Sequence, residues 1–127
     1  ADDPVQRFAD IINSMISAGD IRLEPVNAPN EQLGGGGASL TGYYDDQYYY
    51  LLSTPLWHAI GRFCIQEGSH FPFSKNTLYK MLAGKGFLIP DKNGENTTSL
   101  WIGGKKTRVI KITASLFNSG GETGNKE

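Results

Sequence analysis

The stretch that most constrains this chain lies near its C-terminus. Thr98-Ser99-Leu100-Trp101-Ile102 and Thr107-Arg108-Val109-Ile110-Lys111-Ile112 are rich in apolar and β-branched residues, and Gly103-Gly104-Lys105-Lys106 stands between them. A glycine pair supplies the positive φ that a tight hairpin turn between twisted strands needs. Residues 98–112 therefore predict an antiparallel hairpin with two lysines in its turn and Arg108 close behind. Val109 and Lys111 are expected on one face of the second strand, with Arg108, Ile110 and Ile112 on the other. A lone hairpin is at best marginally stable in water, so the rest of the chain must supply a core for it.

Three helices are predicted ahead of the hairpin. Asp3 followed by Pro4 is a helix start, a capping carboxylate and then proline at the first helical position. Val5, Phe8, Ile11, Ile12, Met15 and Ile16 recur at helical spacing, and Gly19 stops the helix. Ser53 or Thr54 with Pro55 begins a second helix, with Leu56, Ile60, Phe63 and Cys64 inward, Trp57 flanking and Gly68 at the end. Cys64 on that apolar face reads as a buried structural thiol. Phe71-Pro72-Phe73 is a short extended connector, because Pro72 pushes Phe71 out of helical geometry. Ser74 then caps a third helix over 75–84, with Leu78, Met81 and Leu82 inward and Lys75, Asn76, Tyr79, Lys80 and Ala83 outward. Gly84-Lys85-Gly86 stops it, Phe87-Leu88-Ile89 returns to the core, and 90–96 is a polar loop.

Between the first two helices, Ile21, Leu23 and Val26 alternate with Arg22 and Glu24, which predicts a short strand. Residues 47–52 predict another, because Tyr48, Tyr49 and Tyr50 precede Leu51-Leu52 and aromatics favour strands. The two are expected to pair as a long-looped hairpin. The tyrosine cluster, with Tyr43 and Tyr44, either packs on the core or offers bases a stacking platform. Gly34 to Gly37 has no side chains to pack, so 27–42 reads as a flexible surface loop. It is not a Walker phosphate loop, since Ala38-Ser39-Leu40 follows where Gly-Lys-Ser/Thr is required. Residues 118–127 read as a disordered tail, leaving one domain over 1–117.

Net charge is −1, which on its face argues against a polyanion partner. The charges are segregated, however. Residues 1–52 hold eight acids and two arginines, a balance of −6; residues 53–117 hold nine basic residues and three acids, a balance of +6; the tail carries −1. The basic half is the half with the third helix and the hairpin, and such asymmetry points to a polyanion-facing surface. Other classes are excluded. No apolar run approaches the roughly 20 residues of a membrane span. The opening Ala-Asp-Asp-Pro is not a signal peptide, and a single cysteine forms no internal disulfide, so a reduced cytoplasm is the expected setting. His58 and His70 lack partners at zinc-ligand spacing, Asn96-Thr97-Thr98 is read as a chance glycosylation match, and no nucleophile-base-acid set is apparent. No catalytic residue, metal or cofactor is expected. With no initiator methionine, the chain is expected to be one domain of a longer protein.

The order helix, strand, helix, helix, strand, basic hairpin is that of a winged helix: an α+β helix-turn-helix with a C-terminal basic β-hairpin, here a single domain with a Gly-rich loop insertion. In that geometry the third helix enters the major groove by its N-terminal residues, giving Lys75, Asn76, Thr77, Tyr79 and Lys80 as candidate DNA contacts. The hairpin adds Lys105, Lys106 and Arg108 over adjacent phosphates.

On Tyr48-Tyr49-Tyr50-Leu51-Leu52, Phe71-Pro72-Phe73-Ser74-Lys75-Asn76-Thr77-Leu78, Gly86-Phe87-Leu88-Ile89 and Gly103-Gly104-Lys105-Lys106-Thr107-Arg108-Val109, the chain resembles the C-terminal region of replication helicases and primase-helicases of bacterial mobile elements and prophages. The opening helix, Arg7-Phe8 through Gly19, is similar to the segment that precedes that region, so the resemblance spans most of 5–112. It implies a non-catalytic winged-helix accessory domain that binds duplex or forked DNA beside an upstream ATPase motor. The alternative is a winged helix that docks on the helicase motor or another replisome protein through the tyrosine strand or the first helix.

Overall fold

Asp3 Oδ1 accepts a 3.0 Å hydrogen bond from the Val5 amide, and Pro4 occupies the first position of helix α1 (Pro4–Ala18). The helix closes where Gly19 turns left-handed at φ 79° and its amide donates to the Ile16 carbonyl at 3.1 Å. In the computed structural model, which describes residues 3–26 and 33–122, nine further elements follow. They are β1 (Arg22–Pro25), β2 (Leu33–Gly34), β3 (Leu40–Tyr44), β4 (Tyr48–Leu51), α2 (Ser53–Gln66), α3 (Lys75–Gly84), β5 (Thr98–Ile102), β6 (Lys105–Thr113) and α4 (Ala114–Glu122). The architecture is α+β, with the described strands in one six-stranded sheet of order β2-β1-β3-β4-β6-β5.

Every neighbouring pair in that sheet is antiparallel except β1 and β3, which run parallel. Thr113, Ile112, Lys111 and Ile110 of β6 lie opposite Tyr48, Tyr49, Tyr50 and Leu51 of β4. Side chains alternate along a strand, so Tyr49, Leu51, Ile110 and Ile112 share one face. All four are buried there against Phe8, Ile12 and Met15 of α1, Leu56 and Ile60 of α2, Leu78 and Leu82 of α3, and Leu116 and Phe117 of α4. Phe117 stacks on Tyr49, with ring centroids 4.3 Å apart and planes 10° from parallel. The helices thus form one layer over one sheet face, the two-layer solution to burying a helix stripe and a sheet face together.

Three expectations are corrected. Strand β1 does not pair with β4, because Leu40–Tyr44, read as loop and linker, forms β3 between them. Gly42 admits β3: a Cβ there would stand 2.6 Å from the Tyr50 carbonyl oxygen and 3.0 Å from Leu51 Cα. The glycine run is likewise no free loop. After pairing with β1 through Leu33 and Gly34, the chain crosses the α1–β1 junction to reach β3 on β1's other side. Backbone meets backbone at that crossing. The Gly35 amide donates to the Ile21 carbonyl at 3.1 Å, and a Cβ on Gly34 would collide with that same oxygen. Residues 27–32, the rest of the expected loop, lie outside the described residues. Finally, helix α4 runs through residues 118–122, the first half of the expected tail; 123–127 lie outside the described residues.

Leu52 carries the chain directly from β4 into α2, and α3 returns through 87–89 onto β6. There the Ile89 amide donates to Lys111 O and the Thr113 amide to Phe87 O, both at 2.9 Å. The α2–turn–α3 unit and the β5–β6 hairpin are therefore both fastened to the same strand, β6. No described helix is long and apolar enough to cross a membrane.

Candidate nucleic-acid interface

Ser74 caps α3 as its sequence predicts. Its Oγ accepts from the Thr77 amide at 3.2 Å and donates to Thr77 Oγ1 at 3.0 Å. This fixes the helix start that carries Lys75, Asn76 and Thr77, all exposed, with Lys80 exposed one turn on. Tyr79 is the correction. It is 3% exposed, and its hydroxyl accepts from Trp57 Nε1 at 2.7 Å and shares a 2.8 Å hydrogen bond with Ser53 Oγ. Burial raises its pKa despite the opposing effect of those two hydrogen bonds. Trp57 also meets Phe71 edge-on at 5.5 Å between centroids. Tyr79 is thus a clasp between α2 and α3, not a group presented to a ligand. The signal was Ser53 and Trp57, four residues apart and so on one face of α2, each offering a polar atom to one partner.

The hairpin forms, with a turn of two residues, Gly103 at φ 58° and Gly104 at φ 79°. Positive φ at both turn residues is the type I′ arrangement. Lys105 and Lys106 belong to β6 instead of the turn. Lys105 lies opposite Ile102, Lys106 opposite Trp101 and Arg108 opposite Ser99. Directly opposed residues share a face, so Trp101, Lys106, Ser99 and Arg108 extend the face that Ile110 and Ile112 bury further along. Lys105, Lys106, Arg108 and Trp101 are exposed, and Arg108 Nη2 donates to Thr97 Oγ1.

A groove of about 490 Å³ separates the hairpin from the loop after Ile89. Lys106 and Arg108 line it together with Lys92 and with Lys111, whose ammonium lies over Tyr48 on the other sheet face, and Asp91 is the carboxylate among its described lining residues. Asp91 is committed to its own loop: Oδ1 accepts from the Asn93 and Glu95 amides at 2.8 and 2.9 Å. The sequence reading misses Lys92, which becomes a neighbour of the hairpin cations only when 87–89 is seen to pair with β6. The residues of α3 are not among those lining the groove. The candidate contacts thus fall into two exposed sets, one on α3 and one on the hairpin.

The outer sheet face holds Tyr43, Tyr48, Tyr50 and Lys111. Tyr50 is buried, and its hydroxyl donates to Asp45 Oδ2 at 2.7 Å. Asp45 Oδ1 accepts from the Gln47 and Tyr48 amides at 2.9 and 2.8 Å. Burial alone raises the Asp45 pKa, but the Tyr50 hydroxyl, the two amides and the Lys111 charge outweigh it and hold it below its usual value. Burial, followed by the bond to Asp45 and its charge, pushes the Tyr50 hydroxyl far above its ordinary range. The Tyr50 hydroxyl therefore braces the β3–β4 turn from within β4. Tyr48 lies half-buried beneath Lys111, whose Nζ is 4.3 Å from its ring centroid. Cys64 is buried, and among the described residues no group of three or more His, Cys, Asp or Glu could hold a metal ion.

No protein-family model matches the chain, and no curated protein matches it.

Proposed function

We propose that this chain is a winged-helix DNA-binding domain that serves a replication helicase or primase-helicase of a bacterial mobile element, working in the cytoplasm and without a catalytic step of its own. One observation carries the reading. The α2–turn–α3 unit lies in the chain between β4 and the β5–β6 hairpin, and that hairpin exposes Lys105, Lys106 and Arg108. In this reading α3 enters the major groove by its capped end. Asn76 offers a donor and an acceptor to an adenine edge, while Lys75 and Lys80 reach guanine or phosphate. The hairpin cations, with Lys92, lie along the backbone and give affinity without reading sequence. Tyr79 orients α3 from behind and touches no DNA.

The test is a fluorescence-polarisation titration of duplex, forked and single-stranded DNA at two salt concentrations. Each phosphate neutralised contributes about 0.9 to the slope of log affinity against log salt. The Lys105→Glu, Lys106→Glu variant is expected to bind every sequence more than tenfold more weakly and with a slope about two units shallower. Salt-independent binding, or an unaffected double variant, overturns the proposal. A docking role for the outer sheet face is the second reading, favoured by the half-exposed Tyr43 and Tyr48 beside Lys111. On that reading Tyr48→Ala abolishes complex formation with the motor domain and leaves DNA affinity unchanged.

A further inference from the structure

Trp101 is 67% exposed, on a hairpin whose other exposed side chains are mainly cationic. It is held there by the register of the fold. It lies opposite Lys106, on the face shared with Arg108, one residue before the strand-end pair Ile102–Lys105 that closes the glycine turn. Its backbone is thus fixed in a ladder, and the indole stands out where the core face of the sheet has run past its covering helices. Tryptophan is largely buried on average in folded chains, and phosphate binding does not require it, because Lys105, Lys106 and Arg108 already supply charge.

An indole recognises π-faces. In continuous duplex DNA each base face is covered by its neighbours, and the grooves present only base edges and phosphates. A base face is open at a strand end, in a single strand, or where strands part. We infer that Trp101 stacks on an unpaired or terminal base at a single-strand–duplex junction, while Lys106 and Arg108 hold the flanking phosphates. This rests on the DNA-binding reading above and narrows its substrate to DNA with an opened end.

The experiment displaces a labelled forked duplex from the full chain with unlabelled fork or with relaxed circular duplex, which has no ends. A base–aromatic stack is worth roughly a tenfold change in affinity. Trp101→Ala is expected to weaken the fork about tenfold and the circle less than twofold, with Trp101→Phe keeping most of the fork preference. In parallel, 2-aminopurine at the first unpaired position is expected to change fluorescence with the wild type and Trp101→Phe and not with Trp101→Ala. Equal loss on fork and circle overturns the stacking role, because the side chain then acts as a general contact. Loss on neither overturns it in favour of an indole covered by a protein partner, and leaves the DNA-binding reading standing. Failure of the wild type to bind any of these DNAs overturns both.

Discussion

Tyr79 illustrates how one hydroxyl changes the meaning of a surface. Helical spacing puts it beside Lys80 on the outer face of α3, and its polar tip suits a groove-facing role. In the fold the ring is buried and the hydroxyl joins Trp57 Nε1 to Ser53 Oγ. Local spacing misplaces the residue because it does not reveal that α2 offers two polar atoms at that point. Tyr79→Phe keeps the ring and removes both hydrogen bonds. It is expected to cost about 1–2 kcal/mol of stability in chemical denaturation and to leave DNA affinity within twofold. A residue that contacts DNA gives the opposite pair of results, loss of affinity with unchanged stability.

At the scale of elements, what is legible follows from chemistry close in sequence. The Asp3-Pro4 and Ser74 starts, the Gly19 stop and the Gly103-Gly104 turn each satisfy backbone groups within a few residues, so their residue types announce them. The order of the sheet is not legible beyond the hairpin. Inserting β3 between β1 and β4 depends on Gly42 and on the glycine crossing, and there the missing side chains matter through distant backbone. A run of glycines reads as freedom when only its neighbours in sequence are considered. Here it is close approach, since Gly34 sits at φ 90° with the Ile21 carbonyl where its Cβ would be. Gly34→Ala is therefore expected to lower stability by about 2 kcal/mol or more, because positive φ and a backbone clash must both be relieved. Gly37, where an added Cβ would meet nothing within 4 Å, is the internal control. Gly37→Ala is expected to be neutral or to stabilise by up to about 1 kcal/mol through a less flexible unfolded chain. Equal effects of the two in thermal melts would show that the run is a linker after all.

Over the whole molecule, the cancellation behind the net charge of −1 becomes a separation in space. The acidic half builds α1 and the β2-β1-β3-β4 side of the sheet, and the basic half builds α2, α3 and the β6-β5 side. Asp3 and Asp10 from the acidic half, joined by Arg7 and by Glu67 after the end of α2, line a groove of about 410 Å³ between α1 and α2, while the cationic groove lies against the hairpin. Charges more than about 8 Å from a phosphate are largely screened at physiological salt, so DNA affinity should follow where charge lies and not how much there is. Two double variants separate these quantities. Asp10→Asn with Glu67→Gln moves the formal net charge from −1 to +1, and Lys105→Gln with Lys106→Gln moves it from −1 to −3. If net charge governs binding, the two changes are mirror images. If the hairpin surface governs it, the acidic pair alters affinity by less than about twofold near 150 mM salt, whereas the lysine pair weakens it about tenfold and flattens the salt dependence by about two phosphates' worth. Titrating both variants against one duplex at two salt concentrations distinguishes the cases, and a gain from the acidic pair equal to the loss from the lysine pair removes the hairpin from the account of binding.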